Sequence, residues 1–217
     1  MVKSEVIKAI ENEKIIVIVR GVESEKLIPL CEAIYQGGIR LLELTFDASK
    51  KVADEQIAKN IKILADKFQG KMLIGAGTVL EESQVELTKQ AGGCFIISPN
   101  TDEKIIKKTT ELGLVSMPGA LTPSEIMQAH NYGADFVKLF PASNFGPEYV
   151  KAVKAPLSHI KLTVVGGINE NNMESYIKSG ASGFGVGANI VNKTYIENNE
   201  FDKIVTLAKK YVEVVNK

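Results

Sequence analysis

Histidine is scarce in this chain: only His130 and His159 occur among 217 residues, and neither stands in an H-x-x-H or comparable spacing. That argues against a histidine-rich zinc site. Cysteine is equally sparse. Cys31 and Cys94 fall in separate elements at no redox or metal-ligand spacing, and both are expected to be reduced core residues. Net charge is nil, with 26 Lys and Arg against 26 Asp and Glu, so no overall field draws the protein to nucleic acid or to an acidic membrane surface. No apolar run approaches the roughly 20 residues that span a bilayer, and the N-terminus has no secretory apolar region. The expectation is a cytoplasmic protein with a small-molecule partner. A G-x-S-x-G elbow is missing, which removes the usual signature of a serine hydrolase. Gly75-Ala76-Gly77-Thr78 begins like a dinucleotide loop, but the third glycine of G-x-G-x-x-G would fall on Leu80.

What is present is a rhythm of apolar strand-like runs, loops and amphipathic helical stretches at intervals of about 20–30 residues. The runs are Ile15–Val19, Arg40–Thr45, Met72–Ala76, Cys94–Ile97, Leu114–Met117, Phe136–Leu139, Leu162–Val165 and Gly183–Val186. Gly37-Gly38, Gly92-Gly93, Gly113, Gly133 and Gly180 stand where the intervening helices need C-terminal stops. Ahead of the first run, residues 2–13 predict a short amphipathic helix capped by Ser4, with Val6, Ile7 and Ile10 on one face to close the bottom of a barrel. Phe201 to Val215 has the spacing of a last outer helix, and Asn192–Glu200 is polar enough for an exposed loop. Eight such units predict a compact (β/α)8 TIM barrel, with residues 1–217 as a single domain. A doubly wound open sheet is the structural competitor.

Within this pattern one lysine stands in an apolar run, Phe136-Val137-Lys138-Leu139-Phe140. A buried unpaired charge is costly. Desolvation also lowers a lysine's pKa, which makes the amine a nucleophile able to condense with a carbonyl. The alternative is a lysine guarding an edge strand. Alternation along strands puts Ile16, Ile18 and Arg20 on one face, Leu41, Glu43 and Thr45 on another, and Phe136, Lys138 and Phe140 on a third. All three faces can be interior. An acid and two bases on three strands suggest a mutually compensating site near the C-terminal strand ends, against the alternative of a buried ion-pair network without chemistry.

Two glycine clusters add to this. Gly75 and Gly77 would let the backbone approach a ligand, with Thr78 offering a hydroxyl. Val165-Gly166-Gly167-Ile168-Asn169 precedes a helix, so its amides are placed to hold an anion, with Gly185-Val186-Gly187-Ala188 beside it. Either cluster alone is also ordinary turn chemistry.

Val19-Arg20, Leu42-Glu43-Leu44-Thr45, Gly75-Ala76-Gly77-Thr78-Val79, Ile97-Ser98-Pro99, Met117-Pro118-Gly119, Val137-Lys138-Leu139-Phe140-Pro141 and Gly166-Gly167, in this order, resemble the 2-keto-3-deoxy-6-phosphogluconate (KDPG) and 4-hydroxy-2-oxoglutarate (KHG) aldolase family. The resemblance runs from Ile15 to about Val191. It implies a class I aldolase on a (β/α)8 barrel, without metal or other cofactor, assembled as a homotrimer. Lys138 would be the Schiff-base lysine and Glu43 the acid/base. Arg20 and Thr78 would hold the pyruvate half, Thr45 would share the pocket, and Pro99 and Phe140 would wall it. Gly166, Gly167, Gly187 and Ala188 would form the phosphate end. The chain departs from the family pattern at Asp47, where some members have arginine, and at Val165 and Ala188, where hydroxyl residues are usual. The activity so implied is reversible cleavage of a 2-keto-3-deoxy-6-phospho sugar acid to pyruvate and glyceraldehyde 3-phosphate. KHG cleavage to pyruvate and glyoxylate is the alternative within the mechanism, and a non-catalytic sugar-phosphate-binding barrel the alternative outside it.

Overall fold

The structure is a computed structural model that describes residues 1–216. Nine parallel strand segments make one sheet: β1 (Ile15–Val19), β2 (Leu41–Thr45), β3 (Leu73–Gly77), β4 (Phe95–Ile97), β5 (Val115–Met117), β6 (Gly119–Ala120), β7 (Val137–Leu139), β8 (Leu162–Val165) and β9 (Gly183–Val186). Their order is β5-β4-β3-β2-β1-β9-β8-β7-β6. Eight runs expected from the sequence become nine segments because Pro118, which has no N–H to give the ladder, separates β5 from β6. The two segments are one stave of the barrel. β5 pairs with β4 on one side, and β6 pairs with β7 on the other through Gly119↔Lys138 and Ala120↔Leu139. The Ser116 carbonyl accepts from the Phe136 amide at 3.2 Å and the Pro118 carbonyl from the Lys138 amide at 2.8 Å, so hydrogen bonds run across the seam.

Ten helices accompany the strands. α1 (Lys3–Glu13) precedes the sheet; α2 (Ser24–Gln36), α3 (Asp54–Lys67), α4 (Glu82–Gln90), α5 (Glu103–Glu111), α6 (Pro123–Asn131), α7 (Gly146–Lys154) and α8 (Met173–Lys178) follow successive staves; α9 (Lys193–Glu197) and α10 (Phe201–Val215) close the chain. None of the described helices is long and apolar enough to cross a membrane. Several end on the expected glycine in a left-handed conformation, as at Gly113 (φ +70°) and Gly133 (φ +104°), where a side chain would be strained. Two boundaries differ from expectation. Ser4 lies inside the first turn of α1, whose N-cap is Val2, and the polar segment Asn192–Glu200 contains α9, capped by the Asn192 side chain accepting from the Tyr195 amide at 3.1 Å.

Strand alternation divides the core as expected. Ile15, Val17, Val19, Leu42, Leu44, Val137 and Leu139 face the helices, while Ile16, Leu41, Phe95, Val115 and Phe136 fill the barrel and meet Val6 and Ile10 of α1 at its floor. Cys31 is buried in the outer layer and Cys94 half-buried; both are free thiols. His130 and His159 stack edge to face on the exterior, 5.1 Å between ring centroids. Gly75 and Gly77 are required by the packing: a Cβ on Gly75 would strike the Phe95 ring, and one on Gly77 the Glu43 carboxylate. Gly119 is under a similar constraint from the backbone carbonyl of Pro99. Because backbone cannot rotate out of the way, Gly119→Ala is expected to lose about 1–3 kcal/mol, the usual range for overpacking. Urea denaturation measures it, and an unchanged midpoint would contradict the packing at the seam.

Candidate active site

A cavity of about 440 Å³ opens at the C-terminal end of the barrel. Of the residues singled out from the sequence, Arg20, Glu43, Thr78, Pro99, Lys138, Phe140, Gly166, Gly167, Gly187 and Ala188 all border it. Thr45 does not. It ends β2 and borders a second cavity, with Phe46 and Asp47, that shares Arg20 with the first. The sequence reading passed over Ile18, Ile168 and Asn189 as lining residues. Ile18 shares strand parity with Arg20 and was accessible by that route; Asn189 lies in a loop, where parity says nothing.

Glu43 and Lys138 stand on the interior faces of β2 and β7, 1% and 8% exposed. Burial pushes the Glu43 carboxyl's pKa up from 4.5, opposed by the charges of Lys138 and then Arg20. Burial likewise pulls the Lys138 ammonium's pKa down from 10.5, opposed by Glu43 and assisted by Arg20. The two attract one another without forming a direct ion pair, and Glu43 Oε2 has no hydrogen-bond partner in the protein. Lys138 Nζ lies 5.0 Å from the centre of the Phe140 ring, whose face favours a cation; the ring is 39% exposed and forms one wall of the mouth.

On the rim, Arg20 Nη2 donates to Thr78 Oγ1 at 2.8 Å. Thr78 holds a left-handed backbone (φ +55°), an uncommon state for a β-branched residue and one that persists where function requires it. The remaining guanidinium donors suit a carboxylate. Asp47 builds a loop: it accepts from the Ser49 hydroxyl at 2.7 Å and from the Ser49, Lys51 and Val52 amides at 2.9–3.1 Å, which holds its pKa down to about 2.

The far end of the cavity differs from the expected helix terminus. α8 begins only at Met173, and the turn before it is closed by asparagine side chains: Asn169 Oδ1 accepts from the Asn171 and Asn172 amides, and Asn172 Oδ1 from the Asn169 amide at 2.9 Å. The amides of Asn169, Asn171 and Asn172 are thus engaged within the turn. What faces the cavity is the Gly166-Gly167 bend (φ +103° and +69°) and the Gly187-Ala188-Asn189 loop, joined by Asn189 Nδ2 donating to the Ile168 carbonyl at 3.0 Å.

A pH test follows from the buried pair. Because the folded-state pKa of Lys138 is depressed, the unfolded chain binds more protons between that value and 10.5, and wild-type stability gains as pH rises through this window. Lys138→Met removes that gain and leaves Glu43 without its cation, so its raised carboxyl releases stability as pH rises. The stability of Lys138→Met relative to wild type is expected to be greater at pH 6 than at pH 10. An equal margin at both, by urea denaturation, would contradict a depressed lysine.

Comparison with known proteins agrees with this geometry. The model of the KDPG and KHG aldolase family matches residues 6–207. The 2-dehydro-3-deoxy-6-phosphogalactonate aldolase of Escherichia coli K12 is 31% identical over 202 residues, 93% of this chain and 96% of that one. The KHG/KDPG aldolase of the same organism is 32% identical over 191 residues, 87% and 86% of the two chains. Among solved structures, KDPG aldolase from Legionella pneumophila, with pyruvate captured as a covalent carbinolamine, superposes with a TM-score of 0.81 at 30% identity, over 90% of this chain and 92% of that one. With its buried lysine and carboxylate at the mouth of such a barrel, the chain belongs to the KDPG and KHG aldolase family and is a class I, Schiff-base aldolase.

Proposed function

We propose that the substrate is a 2-keto-3-deoxy-6-phospho sugar acid, cleaved reversibly to pyruvate and glyceraldehyde 3-phosphate, with Lys138 as nucleophile and Glu43 as acid/base. The observation that carries the assignment of roles is the burial of these two groups side by side at the base of one cavity, each pushed toward its neutral form. The neutral amine attacks the C2 carbonyl. Glu43 moves the protons that turn the carbinolamine into an iminium with loss of water. The iminium then draws the electrons of the C3–C4 bond as the C4 hydroxyl proton leaves to base, releasing the aldehyde. Protonation of the enamine at C3 and hydrolysis free pyruvate and restore Lys138. Arg20 faces the substrate carboxylate through charge-assisted hydrogen bonds and Thr78 fixes the guanidinium.

A cavity of about 440 Å³ lies within the roughly 300–1,000 Å³ of small-molecule pockets, which accommodates a phosphorylated six-carbon acid. Relatives named for the galactonate and for the gluconate compounds are nearly equal in identity, so both epimers belong in the test. At the distal end Val165 and Ala188 supply no hydroxyl, which leaves phosphate to the backbone amides of the two glycine loops. Residues 1–217 would act as one catalytic domain, in a cytoplasmic homotrimer with no cofactor; size-exclusion chromatography with light scattering tests the trimer.

Pyruvate release measured on the two phosphorylated epimers and on 4-hydroxy-2-oxoglutarate is expected to give the higher kcat/KM with a phosphorylated acid. A preference for 4-hydroxy-2-oxoglutarate would reverse the assignment. Glu43→Gln is expected to lower kcat about 10²–10⁴-fold, the range for a positioned acid/base. A folded Glu43→Gln protein of wild-type kcat would remove Glu43 from that role.

A further inference from the structure

Thr163 sits on the interior face of β8, in register with Lys138 on β7 and Gly183 on β9. It is 2% exposed, and its Oγ1 has no hydrogen-bond partner in the protein. Glu43 Oε2 is the other orphaned atom of the barrel interior. Both side chains border one small closed pocket of about 10 Å³ beneath the mouth, together with Lys138, Ile18 and Gly185. Packing does not account for a hydroxyl here. An unsatisfied buried hydroxyl costs about 1–3 kcal/mol, and valine has the same shape without that cost. The two orphans are complementary, since a hydroxyl carries the proton that a carboxylate accepts.

We propose that Thr163 is a positioning residue for the aldol reaction: its hydroxyl donates toward Glu43 across this pocket through one bound water, and holds the carboxyl group where it serves the carbon bound to Lys138. The pocket stands at the lower limit of roughly 10–15 Å³ that admits one water. β9 keeps it open, because a Cβ at Gly185 would crowd Val165 at 2.7 Å and Ile18 at 3.2 Å. The inference rests on the aldolase role given to Lys138 and Glu43 above.

The charged groups facing Glu43 are Lys138 from β7 and Arg20 at the end of β1; the other strands present apolar side chains, glycine or Thr163 itself. Donation to the ionised carboxylate favours that form and opposes the burial that raises its pKa. Without the hydroxyl that pKa rises further. Activity that needs ionised Glu43 as base then begins to fall at a higher pH on the acid side.

The test compares Thr163→Val and Thr163→Ser with wild type in urea stability, in kcat and KM across pH, and in borohydride capture of pyruvate on Lys138. Thr163→Val is expected to stay folded, to lose about tenfold in kcat with KM nearly unchanged, and to show its acid limb at higher pH. A tenfold loss is the rate equivalent of one hydrogen bond to a charged group. Thr163→Ser, which keeps the hydroxyl, should retain rate and profile. Thr163→Val with wild-type kcat and acid limb overturns the proposal, as does a loss of rate that tracks lost stability with the limb unmoved. In either case capture of pyruvate on wild-type Lys138 leaves the aldolase assignment standing, whereas its failure strikes that assignment itself.

Discussion

Desolvation of one lysine and one carboxylate inside a closed barrel is the constraint on which the rest of this structure depends. In water each would be charged and unreactive; in the barrel each is pushed toward neutrality while the other limits how far. A neutral amine is the nucleophile that an imine requires, and a carboxyl group whose pKa is raised by burial holds a proton more readily and can return it. Elsewhere the fold serves this arrangement. Gly77 leaves room for the Glu43 carboxylate, Gly75 for the Phe95 ring below it, and α1 seals the floor with Val6 and Ile10 so that water reaches the pair only from the mouth.

The seam at Pro118 belongs to the same design. β5 and β6 are one stave whose halves pair with different neighbours, and the amide of Lys138 is tied to the carbonyl of Pro118 itself. Lys138 is thereby fixed at the point where the barrel closes. A barrel strand places a side chain more firmly than a loop does, whereas the rim is built from loops. There, the strain at Thr78 and its hydrogen bond to Arg20 hold the guanidinium, and asparagine side chains shape the bend at the opposite end.

Much of this was legible because strands have a period of two. Counting by twos from Ile16, Leu41 and Phe136 puts Arg20, Glu43 and Lys138 on interior faces without any knowledge of the fold. The same count puts Thr45 on that face too, although it borders a second cavity that shares Arg20 with the first. It also reaches Thr163, one pleat below Val165, but threonine is an ordinary strand former and only the orphaned hydroxyl in three dimensions marks it out. The split at Pro118 was hidden because Leu114–Met117 reads as a complete strand. At the distal end Gly166-Gly167 borders the cavity as the sequence suggests, but asparagine side chains engage the amides of Asn169, Asn171 and Asn172, and the helix begins only at Met173, which Gly-Gly-Ile-Asn does not reveal.

The central claim is that Lys138 is the amine that joins the substrate. Borohydride reduction in the presence of pyruvate, followed by mass spectrometry of the intact protein and of its peptides, tests it most directly. The account predicts one reduced pyruvate adduct per chain, carried on Lys138, and none when Lys138 is replaced by methionine. A folded protein that gives no adduct with pyruvate in excess, or one whose adduct lies on another lysine, would contradict it.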